Sequence, residues 1–171
     1  MTLRSCASEG AVLHRLSNSR LDQLTKHDEQ LLLENARVLL DTAPSEARSL
    51  LRGKNLGLLC DDSGSASLFK AAAEGLGARV AHIRPSLSHD SDPDVVRETA
   101  RMLARLYDGV ECHDVPADLV RRIGNEADVP VYNGVSSPAH PTAALAGLLP
   151  SRSGDAGRLS IVQAVLLSTL R

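Results

Sequence analysis

Tryptophan is absent, and the only aromatic residues are Phe69, Tyr107 and Tyr132. So sparse a set removes the stacking platforms on which single-stranded nucleic acid is usually held. Positive charge is not in excess either. The net charge is −2, which leaves no basic footprint for DNA or RNA. No apolar run approaches the ~20 residues of a membrane span. The opening stretch MTLRSCASEGAVLHRL lacks the apolar core of a secretory signal, so a cytoplasmic protein is expected. Cysteine is scarce and odd in number, and Cys6, Cys60 and Cys112 share no CxxC spacing. Buried or free thiols are therefore expected rather than disulfides or a zinc site, and no metal or cofactor is implied.

What remains is an ordinary globular composition. The 171 residues are 43% hydrophobic and 23% charged, enough for one domain with a real core. Residues 1–19 are mixed and lack periodicity. Thr25 followed by Asp28 has the form of a capping box, and Leu31, Leu32, Ala36, Leu39 and Leu40 then recur at helical spacing. A short helix is expected at 45–52. From there the pattern alternates, with strands at 56–60, 78–84, 110–113 and 129–132. Helices are expected at 65–76, 93–106, 117–124 and 140–149. In the second of these, 93–106, Val95, Val96, Ala100, Leu103 and Leu106 fall near one face. Residues 150–157 read as a linker and 158–170 as a closing amphipathic helix. Strands separated by helices imply an α/β fold, a parallel sheet with helices on both faces. Ligands of such sheets bind beyond the carboxyl ends of the strands. Those ends hold Asp61-Asp62, His113 and the segment 133–140.

The most informative stretch is LLCDDSGSASLFKAA, residues 58–72. An apolar strand enters a small polar turn that opens a helix, which presents free backbone N–H groups to an anion. Yet no Lys or Arg lies between Lys54 and Lys70, and Asp61-Asp62 brings negative charge instead. Ser63 and Ser65 read either as caps or as ligand contacts, and Gly64 serves the turn.

Several segments in order resemble the carbamoyl-phosphate domain of ornithine and aspartate transcarbamoylases. They are LRGKNLGLL (51–59), GLGARVAHIRPS (75–86), ETARMLARLYDGVECH (98–113) and VPVYNGVSSPAHPTAALAGLL (129–149). GRLSIVQAVLLSTL (157–170) resembles the family's last helix, which here follows the first lobe after a short linker. The resemblance thus implies one lobe, with the amino-acid-binding lobe missing between them. It also implies a changed pocket. The family's STRTR phosphate loop aligns with Asp62, Ser63, Gly64, Ser65 and Ala66, so both arginines are gone. The arginine after the third strand becomes His113, whereas His140, Pro141 and Arg158 are kept. Charge-assisted bonds to phosphate contribute ~1.5–3 kcal/mol each, so carbamoyl transfer is not expected.

Three functions follow from that resemblance. In the first, the lobe is a repurposed enzyme part that works with a partner chain. Asp62 would take a proton from an amine. His140 would polarise the reacting group, and Ser63, Gly64, Ser65, His113 and Arg158 would hold the anionic part of an amino-acid-like substrate. Truncated lobes of this sort resemble components of aziridine-forming natural-product systems. In the second, the lobe is a non-catalytic scaffold for a second-lobe chain, a full-length relative or further copies of itself. In the third, it is a vestigial carbamoyl-phosphate binder. A metal held by Asp62, His113 and His140 has no supporting ligand spacing. At this stage a structural role stays open for His140, and a surface position at the sheet edge for His113.

Overall fold

A computed structural model describes residues 21–61, 66–84, 86–150 and 154–170. Helix α1 (Lys26–Asp41) and the single turn α2 (Pro44–Ala47) precede strand β1 (Asn55–Leu59). Then come α3 (Ser67–Gly75), β2 (Arg79–Ile83), α4 (Pro93–Leu106), β3 (Gly109–Cys112), α5 (Ala117–Glu126) and β4 (Val131–Asn133). A 3₁₀ helix (Pro141–Leu148) and α6 (Gly154–Leu170) are the last described elements. The four strands are parallel, in the order β2-β1-β3-β4. The chain leaves β1 to one side for β2 and returns on the other side for β3. That reversal opens a crevice at the carboxyl ends of β1 and β3.

Alternation along the strands divides the core. Leu56, Leu58 and Cys60 pack with α1, α3 and α6 on one face, around Phe69 and Tyr132. Leu59, Val110, Cys112 and Val131 pack with α4 and α5 on the other. Both described cysteines, Cys60 and Cys112, are buried. The capping box forms as read: Thr25 Oγ1 accepts the Asp28 N–H at 3.2 Å, and Asp28 Oδ2 accepts the Thr25 N–H at 2.9 Å. We predict that Thr25→Ala lowers stability by about 1 kcal/mol, read as a lower urea midpoint at constant slope.

Three sequence expectations need correction. Helix α6 begins at Gly154, inside the expected linker, and it is not amphipathic. It is buried almost all round because α1, α3 and the 3₁₀ helix all pack on it. Its polar side chains turn inward to other partners: Ser168 donates to the Ala164 carbonyl at 2.7 Å and accepts from Asn35 at 3.1 Å. The helix expected at 140–149 is a 3₁₀ helix, in which the Ala143 N–H donates to the His140 carbonyl at 2.8 Å. On α4, Val96, Ala100 and Leu103 are buried as expected, but Val95 and Leu106 are 50% and 58% exposed. Among the described residues no helix is long and apolar enough to cross a membrane.

Candidate functional site

The expected anion loop, Asp62, Ser63, Gly64 and Ser65, lies outside the described residues. The other expected residues can be placed. Beyond the carboxyl ends of β3 and β4 lies a cavity of about 270 Å³. His113 and Asp114 enter it from the end of β3, Asn133 and Gly134 from the end of β4, and His140 from the start of the 3₁₀ helix. Asp22, just ahead of α1, closes another side. The backbone here is bent to fit. Asp114 has φ 57° and Gly134 has φ 64°, both in the left-handed region. Asp tolerates that region better than most residues.

His140 is buried, and its ring is oriented by the helix it precedes. As the N-cap, its Nδ1 accepts the Thr142 N–H at 3.2 Å and meets the Thr142 hydroxyl at 2.9 Å. A ring nitrogen that accepts carries no proton, so the neutral ring has its hydrogen on Nε2. Nε2 lies 3.7 Å from Asp22 Oδ1. Burial lowers the proton affinity of this imidazole; Asp22 opposes that and the Arg158 charge adds to it. His140 is therefore a neutral N–H donor.

His113 has the opposite surroundings. It is buried, so the alternative of a surface histidine at the sheet edge does not hold. Its Nδ1 lies 3.7 Å from Glu111 Oε1 and 3.4 Å from Ser136 Oγ, and its Nε2 lies 3.8 Å from Asp114 Oδ2. The Glu111 carboxyl facing it raises its proton affinity, burial opposes this, and the Asp114 charge adds to it. Glu111 is fully buried. Burial pushes its carboxyl up, while His113 and the N–H groups of Val135 and Ser136 pull it back. Cys112 beside it is pushed up to about 12 by burial and by the Glu111 charge, so it stays a thiol.

Arg158 is placed differently from the other predicted residues. It is not among the residues lining the cavity. One terminal nitrogen donates to the carbonyls of Ser136 at 3.1 Å and Ser137 at 3.0 Å. The guanidinium thereby clamps the loop that forms one cavity wall. Its other terminal nitrogen is buried and has no hydrogen-bond partner among the described residues.

Glu111 and Asp22 were missed by the sequence reading. Glu111 had a signal: a lone acid inside an apolar strand of a parallel sheet is expected to be buried and must find donors. Asp22 had none, since it reaches the cavity only through the packing of α1. Among the described residues no cluster of three or more His, Cys, Asp or Glu is placed to hold a metal ion.

The aspartate/ornithine carbamoyltransferase carbamoyl-P binding domain matches residues 17–152. This chain belongs to that family. An ornithine carbamoyltransferase of Cutibacterium acnes is 37% identical over 105 residues, which is 60% of this chain and 31% of that enzyme. The ornithine carbamoyltransferase of Pyrococcus furiosus superposes with a TM-score of 0.62 at 25% identity, covering 80% of this chain and 44% of that one. That of Thermus thermophilus gives 0.58 at 28% identity, over 71% of this chain and 42% of that one. The chain thus spans about a third of the curated relative and less than half of each solved structure. The shared part is the carbamoyl-phosphate lobe.

The two histidines predict a stability profile. His113, with raised affinity, stabilises the fold fully below the ordinary histidine value of 6.5 and loses that contribution as pH rises through its folded value. His140, with lowered affinity, contributes fully above 6.5 and loses that as pH falls through its folded value. Urea midpoints measured across this range are expected to fall on both sides. His113→Asn removes the alkaline fall, and His140→Asn the acid one.

Proposed function

We propose that this chain is a repurposed carbamoyl-phosphate lobe. With a partner chain, it drives attack of an amine on a carbon that carries an anionic leaving group. One observation carries this reading: the cavity joins two carboxylates, Asp22 and Asp114, with two imidazoles, His113 and His140. Among the described residues no Lys or Arg lines it. A dianion such as carbamoyl phosphate is repelled by both acids. A zwitterion is matched, its ammonium facing the acids and its ester oxygens facing the imidazoles. An amino-acid sulfate or phosphate ester has that form.

The reaction assigned to the site is ring closure to an aziridine. Asp62 accepts a proton from the ammonium, and the freed nitrogen lone pair attacks the ester-bearing carbon. A C–N bond forms as the C–O bond breaks, and the departing sulfate or phosphate keeps that electron pair. The His140 Nε2–H, His113 and the N–H groups at the start of α3 receive the anion. Arg158 holds the wall against which it forms. The absence of arginine from residues 61–66 supports this division of labour.

Calorimetry with carbamoyl phosphate and with 2-aminoethyl hydrogen sulfate, the smallest ester able to close such a ring, tests it. Heat is expected from the amino ester and none from millimolar carbamoyl phosphate. The reverse pattern, or citrulline formation from ornithine and carbamoyl phosphate, refutes the proposal.

The exposed side of α4 favours a second reading, a non-catalytic scaffold. Val95, Met102 and Leu106 form an apolar stripe there, each about half exposed. If that reading holds, co-purification with a partner survives loss of both Asp62 and His140.

A further inference from the structure

We propose that Glu111 is a positioning residue that holds His113 as an imidazolium at the cavity wall, an ionisable replacement for a fixed cation, while His140 in the same cavity stays a neutral donor. This rests on the reading of the cavity as an amino-ester site and assigns a state to each imidazole.

The geometry begins with Glu111. Its Oε2 accepts the Val135 N–H at 3.2 Å, and its Oε1 accepts from the Ser136 N–H at 3.4 Å and the Ser136 hydroxyl at 3.3 Å. Donors therefore point at both oxygens. A carboxylate accepts strongly on both oxygens, whereas protonation makes one of them a donor and a poor acceptor. The proton shared by the pair accordingly sits on His113. A buried carboxylate requires a compensating charge, and His113 Nδ1 is the nitrogen facing it, 3.7 Å away. Nε2 is then left for the cavity. There Asp114 Oδ2, 3.8 Å off on a side chain 74% exposed, can turn toward a substrate ammonium.

Among the described residues the charged and titratable neighbours favour this assignment or leave it untouched, and burial, which raises Glu111 and opposes the charge on His113, is what they work against. On β3, Glu111 favours the imidazolium and Cys112 stays neutral. Asp114 on the following loop adds to it. His140 is neutral by its capping bond, and Asp22 lies against His140. Arg158, on α6, is bound to the loop carbonyls. Two like groups in one cavity whose surroundings drive their proton affinities apart divide the acid–base roles between them. Here the division is a charged receptor for the departing oxyanion and a neutral hydrogen-bond donor beside it. The consequence is a pH gate: the site holds an anionic ester only while His113 carries its proton.

Two-bond ¹H–¹⁵N spectra of the labelled protein, recorded across the histidine range, test the assignment. His113 is expected to show both nitrogens protonated to higher pH than His140, and His140 to show the Nε2–H tautomer. In Glu111→Gln the His113 midpoint moves down by about one unit or more, and that of His140 stays. Binding of 2-aminoethyl hydrogen sulfate weakens as pH rises through the His113 midpoint, and in Glu111→Gln that weakening shifts to lower pH. A merely structural glutamate would lower affinity without moving the pH at which it is lost. His140 charging before His113, or a His113 midpoint unmoved by Glu111→Gln, overturns the proposal. If the variant fails to fold, the order of the two histidines in the native spectrum still decides it. If His113 is charged yet the ester does not bind, the histidine assignment stands and the amino-ester reading falls.

Discussion

Gly77→Ala is expected to destabilise the protein by about 3 kcal/mol or more, a large part of the ~5–15 kcal/mol that holds a domain together. Gly77 ends α3 at φ +90°, where an L side chain is itself strained. Around it the Gly77 N–H donates to the Glu74 carbonyl at 3.0 Å and the Ala78 N–H to the Ala73 carbonyl at 3.0 Å. These two bonds are the Schellman pair that satisfies the last carbonyls of the helix. A methyl group added at Gly77 would sit 1.9 Å from the Arg48 carbonyl oxygen, far inside contact distance. Either the backbone after α2 moves, or the cap opens and β2 loses its alignment with β1. Moving it also strains the Leu51 N–H bond to the Leu76 carbonyl, 2.8 Å long, which ties the same loop to the end of α3. Gly147→Ala is the control, because its added carbon meets nothing within 4 Å. Urea unfolding of the two variants should show a large fall in midpoint for the first and a change within ~0.5 kcal/mol for the second. Equal midpoints would mean that the loop after α2 yields freely.

That same glycine shows what the sequence reveals and what it conceals. Its place after an apolar helical run marks the end of α3 before any coordinates are seen. Strand and helix order are legible for the same reason: each element declares itself by a period and its punctuation. Faces are less legible. Val95 and Leu106 sit at helical spacing with Val96, Ala100 and Leu103, yet the stripe that α5 covers is narrower than the apolar residues of α4. On α6 the failure is of the opposite kind. Serines and a glutamine give the sequence the look of a polar face, but they bond to the helix's own carbonyls or to α1 and α3, and that whole side is buried.

The site divides along similar lines. His113 and His140 are found from sequence because topology gathers the strand ends. Their different protonation is not, because it comes from partners that only the fold brings in. Glu111 lies two residues from His113, so its side chain would follow the same face of an ideal strand. What the sequence cannot supply is the loop 134–136 folding over both residues, with its N–H groups aimed at Glu111. Arg158 illustrates the reverse. Its alignment with the family implied contact with an anion; in the fold one terminal nitrogen donates to two loop carbonyls, a contact with no signal in the sequence.

His140 carries the largest expected effect on activity. If its Nε2–H receives charge on the departing oxyanion, removing that donor should lower turnover by about 10²–10³-fold, the usual effect of deleting one preorganised donor. The side chain has a second task, since its Nδ1 caps the 3₁₀ helix by accepting the Thr142 N–H. The two tasks separate by choice of substitution. Asparagine is a strong N-cap and can replace the acceptor, but it is too short to place a donor where Nε2 stands. Alanine replaces neither. In the complete system, with the partner chain present, sulfate release from an amino sulfate ester should therefore fall alike in His140→Asn and His140→Ala. Only the alanine variant should also lose about 1 kcal/mol of stability in urea. Because the native ring is already neutral, lowering the pH should inhibit the wild type as His140 gains a proton, which forces Nδ1 to give up its cap. Native turnover in His140→Asn would assign the histidine to the helix alone and leave the departing anion to other groups.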